Sequence, residues 1–415
     1  MKKNFNNNEE VITAIDIGTT KICVLIGKKL NNQDIEIIGI GNNKSYGMAK
    51  GMVVNIAQAV ESIKLAIKEA ELSSGHKIHN AVVGISGSHI KAINSNGMVP
   101  IKKERVSQED IKNVLNAAKT VSIPDNQQII HIMPQFFIID SEHKVLNPMG
   151  MFGIRLEVKV HIITGSISAI QNIIKCCELS GINISDVVLE QIASAYAVLS
   201  EDEKFLGTGI LDIGGGTSDF AIYQNKTIKY TKVFTIAGNH ITNDIALCLR
   251  TRLKDAERIK CEFGNVVINK NDAEKNIYEI EEAQGNSKKV ISLQELTSII
   301  EPRITELLEL LKNEIKLQNL KHFIPAGIVL TGGGSLLKNI NLLCKDIIDI
   351  PVRIGYPKLL TNNTKELLNS PIYATAYGLL LYIIKQNENN YKNYLTENLI
   401  NRIFGKMRSW LTDFF

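Results

Sequence analysis

Short apolar runs and amphipathic stretches take turns along this chain. Residues 11–27 read as two strands about a turn, and residues 35–40 as a third strand. Residues 55–72 carry Ile56, Val60, Ile63 and Ile67 at helical spacing. Ser73-Ser74-Gly75 marks the end of that helix. Residues 81–87 are a continuous apolar run of the kind a buried strand has. Strands that lead into helices in this way predict an α/β sheet.

From residue 88 the texture changes. Ser107-Gln108-Glu109-Asp110 has the form of a capping box, and Ile111, Val114, Leu115 and Ala118 follow as the inner face of a helix. Strands are expected at 128–132, 135–139 and 156–163, with a loop at Asn147-Pro148-Met149-Gly150. A β-helix-β-β insert spanning 88–163 is long enough to form a small domain. Residues 166–178 then read as a helix through Ile170, Ile173, Ile174 and Cys177, and a second helix opens at Glu190-Gln191.

The second half repeats the plan. A strand is expected at 231–236, helices at 244–253 and from Asp255, and a hairpin at 278–293 about Gly285-Asn286. Residues 293–315 form a long amphipathic helix that Pro302 kinks or splits. A strand at 350–355 precedes a helix at 370–380 whose small residues Ala374, Ala376 and Gly378 permit close packing. Residues 385–396 are a polar linker. Beyond it Leu399, Ile400, Ile403, Phe404, Met407, Trp410, Leu411 and Phe414 recur at helical spacing. Arg402, Lys406 and Arg408 lie off that stripe, a composition suited to a bilayer surface. A helix docked on the protein's own core or on a partner has the same pattern, but the polar spacer favours the membrane.

Composition narrows this picture. At 415 residues the chain has room for two or three domains. A net charge of +4, with no basic stripe interleaved with aromatics, argues against nucleic acid as a partner. The six cysteines include no C-x-x-C pair, so neither a disulfide frame nor a zinc site is expected. The polar N-terminal residues lack the apolar core of a signal peptide.

Three glycine turns carry the candidate chemistry. Ile210–Tyr223 reads strand, Asp212, Gly214-Gly215-Gly216-Thr217, strand. Without Cβ atoms the backbone can approach a ligand closely, and successive N–H groups suit a phosphate. Asp212 ends its strand where a carboxylate could hold a hydrated cation beside that phosphate. A tight, capped hairpin has the same look. The stretch at 14–27 repeats the motif: Asp16 matches Asp212 and Gly18 matches Gly214, with Thr19, Thr20 and Lys21 following. A duplication at this spacing implies two similar halves facing each other. The third turn, Gly332-Gly333-Gly334-Ser335, follows a strand and precedes a helical pattern.

The ordered triple with its duplicated Asp resembles the actin-like ATPase superfamily. Within it the chain is most similar to the FtsA family of bacterial cell-division proteins. Residues 88–163 lie where that family carries its extra domain, and the tail looks like its membrane-targeting helix. The resemblance therefore covers essentially the whole chain. It implies a duplicated actin-like, ribonuclease-H-like α/β fold with a small inserted α+β domain and a C-terminal amphipathic helix. The implied first lobe takes residues 1–87, 164–198 and 366–384, and the second takes 199–365. The linker is then 385–396 and the amphipathic helix 397–415.

The same resemblance implies the ligands. ATP and Mg²⁺ lie between the lobes. Asp16, Gly18, Thr19, Thr20 and Lys21 meet the phosphates on one side, and Asp212, Gly214, Gly215, Gly216 and Thr217 on the other. Asp16 and Asp212 hold Mg²⁺ through water. Gly332, Gly333, Gly334 and Ser335, with Glu257 and Lys260, hold the adenosine, and Glu190 orients an attacking water in a hydrolysis that is slow if it occurs at all; a carboxylate that only favours the helix start is the alternative for Glu190. An i,i+3 ion pair is the alternative for Glu257 and Lys260. Implied partners are FtsZ, further copies of the chain in a filament, later division proteins at the inserted domain, and the membrane through Ile403, Phe404, Met407, Trp410, Leu411 and Phe414. The implied place is the cytoplasmic face of the cell membrane at the division site. A pilus-assembly adaptor and a small-molecule kinase of the same fold are the alternatives.

Overall fold

Each acidic hairpin belongs to its own five-stranded sheet, and the two sheets have one topology. The computed structural model describes residues 10–30, 35–268, 277–281, 288–358 and 368–388. In the first half β1 (Val11–Ile17), β2 (Lys21–Lys29) and β3 (Ile35–Lys44) form an antiparallel meander. A small hairpin of β4 (Met48–Ala49) and β5 (Met52–Val53) leads to α1 (Ile56–Ser74), and β6 (Asn80–Ile85) returns parallel to β1. Next come β7 (Lys91–Pro100), α2 (Gln108–Ala118), β8 (Gln127–Ile139), β9 (His143–Val145) and β10 (Arg155–Ser166). These four strands make a separate antiparallel sheet in the order β7-β10-β8-β9. The chain rejoins the first sheet through α3 (Ile167–Leu179) and β11 (Asn183–Leu189), completing the order β11-β6-β1-β2-β3.

The crossover helix α4 (Glu190–Val198) and the short α5 (Glu201–Leu206) lead into the second half. There β12 (Thr208–Ile213), β13 (Ser218–Gln224) and β14 (Thr227–Phe234) repeat the antiparallel meander. Helices α6 (Gly238–Leu249) and α7 (Leu253–Phe263) follow, then the hairpin β15 (Ile277–Glu281) and β16 (Lys288–Ser292). Helix α8 (Leu293–Leu317), β17 (Ile328–Thr331), α9 (Ile340–Ile348) and β18 (Val352–Ile354) give the order β14-β13-β12-β17-β18. The last described helix, α10 (Ala374–Glu388), packs back against α4 and the first sheet. Each half and the insert has its own apolar core.

The small residues of α10 act as expected. A Cβ on Gly378 would stand 1.8 Å from the Ala193 carbonyl oxygen, so α4 and α10 approach only because that atom is missing. The capping box also forms: Ser107 Oγ accepts from the Asp110 N–H, and the Asp110 side chain accepts from the Ser107 N–H.

Several elements differ from expectation, each for a local reason. In α1 the buried face is Ala59, Ser62, Ile63, Ala66, Ile67 and Ala70, while Ile56 is exposed; small side chains let the helix lie close on β3. The two strands expected at 128–139 are one, because Gln135 forms a bulge beside Pro134. Strand β14 starts at Thr227, as Asn225 and Lys226 both take positive φ and close a tight turn. Helix α6 starts at Gly238, six residues early, since Gly214 and Gly215 carbonyls accept the Gly238 and Asn239 N–H groups. Helix α8 is not split at Pro302. Past Gly332 the chain makes a 3₁₀ turn over Gly333–Leu336, and the helix waits until Ile340. Helix α10 continues through Glu388, into the stretch read as linker from residue 385.

Residues 389–415, and with them the expectations for Ile403, Phe404, Met407, Trp410, Leu411 and Phe414, lie outside the described residues. Among the described residues no helix is long and apolar enough to cross a membrane.

Candidate functional site

The β1–β2 and β12–β13 turns are the same turn used twice. Gly18 N–H donates to the Lys21 carbonyl at 3.0 Å, and Gly214 N–H to the Thr217 carbonyl at 2.9 Å. The two turns face each other at contact distance. A Cβ on Gly215 would lie 2.3 Å from Thr20 Cγ2, and one on Gly216 2.3 Å from Thr19 Oγ1. Between the sheets opens a cavity of ≈ 410 Å³. Its wall includes Asp16, Gly18, Thr19, Thr20 and Lys21 from the first turn and Asp212, Gly214, Gly215, Gly216 and Thr217 from the second. Gly332, Gly333, Gly334, Glu190, Glu257 and Lys260 complete the predicted residues brought together there.

Ser335 is the exception. Its hydroxyl turns inward and donates to the Gly332 carbonyl at 2.7 Å, so it is a buried bond of the 3₁₀ turn rather than part of the wall. Gly332 has φ +79°, and a Cβ there would meet Asp212 Oδ1 at 2.2 Å. The third turn is therefore pressed against the second.

Burial dominates the electrostatics. Asp16 is pushed up by burial, with Lys21 offsetting part of that and Asp212 adding to it. Asp212 is raised by burial against the hydroxyls of Ser194 and Thr375, which donate to it. Glu190, first residue of α4, is held well above the usual carboxylate range by burial and then by Asp16, Asp219 and Asp212. Around the two turns the pocket thus gathers more acid than the Lys21 ammonium balances, Lys260 being paired with Glu257 at the far end. Lys21 directs its Nζ to the Ile372 carbonyl at 3.0 Å, over the Tyr373 ring. Hard carboxylate oxygens with a charge deficit suit a hydrated divalent cation. Among the described residues no three His, Cys, Asp or Glu side chains are grouped to hold a metal directly.

The far end of the cavity is different. Lys260 Nζ donates to Glu257 at 2.7 Å, to Thr242 Oγ1 at 2.8 Å and to the Gly238 carbonyl at 3.1 Å. Burial raises Glu257, but Lys260 outweighs it and leaves the carboxyl below its ordinary range. The pair ties α7 to α6 while standing on the cavity wall, so it is an i,i+3 ion pair as well.

The residues alone did not single out Asp219, Gly238, Thr375 or Cys261. Asp219 is buried, held by Ser86 and Thr217, and raised chiefly by burial. Its signal was available: it stands two residues past Thr217 in the same motif. Gly238, Thr375 and Cys261 carry no local signal and reach the wall through packing.

Duplicated sheets, duplicated acidic turns and a cavity between them define an actin-like protein. Solved structures agree on the fold: a PilM–PilN type IV pilus biogenesis complex matches with a TM-score of 0.64 at 17% identity, covering 90% of this chain and 98% of that one. MreB5 of Spiroplasma citri bound to ADP matches with a TM-score of 0.56 at 15% identity, covering 92% and 99%. Sequence relatives go further. A family model for the cell division protein FtsA matches residues 209–378, and one for the SHS2 domain inserted in FtsA matches 87–164. The cell division protein FtsA of Pseudomonas aeruginosa is 42% identical over 373 residues, 90% of this chain and 89% of that protein. Those of Escherichia coli K12 and Bacillus subtilis are 38% and 35% identical, over 90% and 91% of this chain and 90% and 84% of their own length.

The chain belongs to the FtsA family, and it is an actin-like cell-division protein. Neither the pilus adaptor nor the small-molecule kinase is favoured.

Proposed function

We propose that this chain binds ATP with Mg²⁺ between its lobes, assembles head-to-tail, and tethers the FtsZ ring to the cytoplasmic face of the membrane at the division site through residues 397–415. The lobes of this reading take 1–87, 164–198 and 366–384 on one side and 199–365 on the other, with later division proteins meeting 88–163. The observation that carries the nucleotide site is the pair of matched turns, each with its Asp, on one ≈ 410 Å³ cavity. Backbone N–H groups of Thr19, Thr20, Gly215, Gly216 and Thr217 receive the phosphates, while those of Gly18 and Gly214 close their own turns. Asp16 and Asp212 hold the cation through water, which offsets the cost of burying both carboxylates. Gly332–Gly334, Glu257 and Lys260 bound the adenosine, and Glu190 orients a water. MreB5, of the same fold, was solved with ADP. A head-to-tail contact is heterologous and extends without closing, and clustering multiplies weak membrane affinity.

Equilibrium dialysis tests the site. Native protein takes up ATP saturably, and Mg²⁺ tightens it about tenfold, an effect lost in the Asp16→Asn/Asp212→Asn variant. Glu190→Gln binds as the native chain does but turns ATP over more slowly. No saturable uptake by the native chain would refute the reading.

A further inference from the structure

The inserted sheet is fastened to the second half of the molecule by a closed ring of hydrogen bonds. Its sheet is covalently part of the first half, entered from β6 and left into α3. Yet it packs on β14, the outer strand of the second sheet. Asn94 on β7 and His161 on β10 are directly opposed in register. Asn94 Oδ1 lies 2.8 Å from His161 Nδ1, and His161 Nε2 lies 2.9 Å from Thr231 Oγ1 on β14. Gln135 Nε2 on β8 donates to the Ile228 carbonyl at 3.0 Å, with Asn94 Oδ1 and the Lys229 carbonyl both at 3.4 Å. The ring leaves β14 at Thr231 and returns to it at Ile228.

The bonding has one consistent direction. The Gln135 amide donates to Asn94, so Asn94 presents its oxygen to His161. Nδ1–H of His161 must then donate to it, and Nε2 accepts from the Thr231 hydroxyl. Both strands that meet are bulged at the meeting point. Gln135 is the extra residue of β8, and Lys229 the extra residue of β14. A bulge re-aims one side chain out of the ladder, and here it turns Gln135 onto carbonyls that an edge strand would otherwise leave open. Gln135, His161 and Thr231 are buried.

A second link runs from the cavity to the root of the insert. Ser86, first residue past β6 on the way to β7, donates to Asp219 and faces Thr217 of the cavity wall at 3.3 Å. Gly87 follows with φ +137°, a backbone shape that lets the root pivot.

We propose that this ring makes the inserted domain travel with the second lobe when the lobes move, so that its orientation reports whether the cleft is closed. The inference rests on the reading that a nucleotide closes that cleft. It gives the chain a means of presenting the insert differently to a partner in two nucleotide states.

Dye pairs introduced through unnatural amino acids read this in the full chain. One pair joins Glu142 in the insert to Asp346 in the second lobe, the other Glu142 to Glu61 in the first. On adding ATP and Mg²⁺ the first distance holds and the second changes. In Thr231→Val/Gln135→Leu the pattern reverses. Thr231→Val alone, a hydroxyl exchanged for a methyl, stands in if the double variant fails to fold, and it shifts the pattern in the same direction. An insert that keeps its distance to the first lobe in the native chain, or that follows the second lobe unchanged in the variants, overturns the inference. ATP uptake by the same samples is followed by dialysis, so a chain that binds no nucleotide refutes the functional reading separately. The joint is then read without nucleotide. Amide exchange over residues 227–234 rises about tenfold in the variants, and unchanged exchange overturns it.

Discussion

At the scale of single residues, burial sets the behaviour of His161 and Gln191. His161 is 2% exposed, and burial drives it down to about 4 from an ordinary 6.5. The unfolded chain therefore binds a proton more readily than the folded one between those values. Its contribution is intact above pH 6.5 and is lost as pH falls toward 4, up to about 3 kcal/mol. Chemical denaturation across pH 4–7 should show that slope in the native chain and a shallower one in His161→Gln. Gln191 is the opposite case. It has no exposed surface, and neither its Oε1 nor its Nε2 finds a protein partner. An apolar group of similar shape avoids the cost of burying an unpaired amide. Gln191→Leu should hold or raise stability, within about 1 kcal/mol of the native chain by urea melts.

Among the elements, the strands were more legible than their ends. Asp16 and Asp212 sit at matched strand ends because apolar runs and glycine turns are local signals. The starts of α6 and β14 were not legible, because α6 is capped by carbonyls of a distant hairpin and β14 begins after a left-handed turn. Helix α8 shows the same limit. Pro302 is exposed within a helix whose buried face, including Ile300, Ile304, Leu307 and Leu308, holds it continuous. Pro302→Ala should restore one N–H bond and raise stability by about 2 kcal/mol, measured by thermal melts. No gain would mean that the helix bends at this point to fit the second core.

For the molecule as a whole, the nucleotide cavity and the tail are two halves of one proposal. The cavity lies between lobes that α4 and α10 join at a contact with no room for a side chain at Gly378. The tail pattern at 397–415 is read from the sequence and lies outside the described residues. Trp410→Glu should release the protein from anionic vesicles in a pelleting assay, and FtsZ should then stay in the supernatant. Retention of Trp410→Glu on vesicles would sink the anchor and leave the nucleotide site standing.

The linear chain determined the duplicated plan by itself, since each copy's apolar strands, glycine turn and Asp are readable within one short stretch. It also placed the insert, which differs from its surroundings in local composition. Only the tertiary structure turned Ser335 away from the cavity, added Gly238 and Thr375 to the site, and closed the ring from Thr231 to Ile228. Those outcomes depend on which distant backbone atoms come within hydrogen-bonding reach, and packing in three dimensions sets that distance.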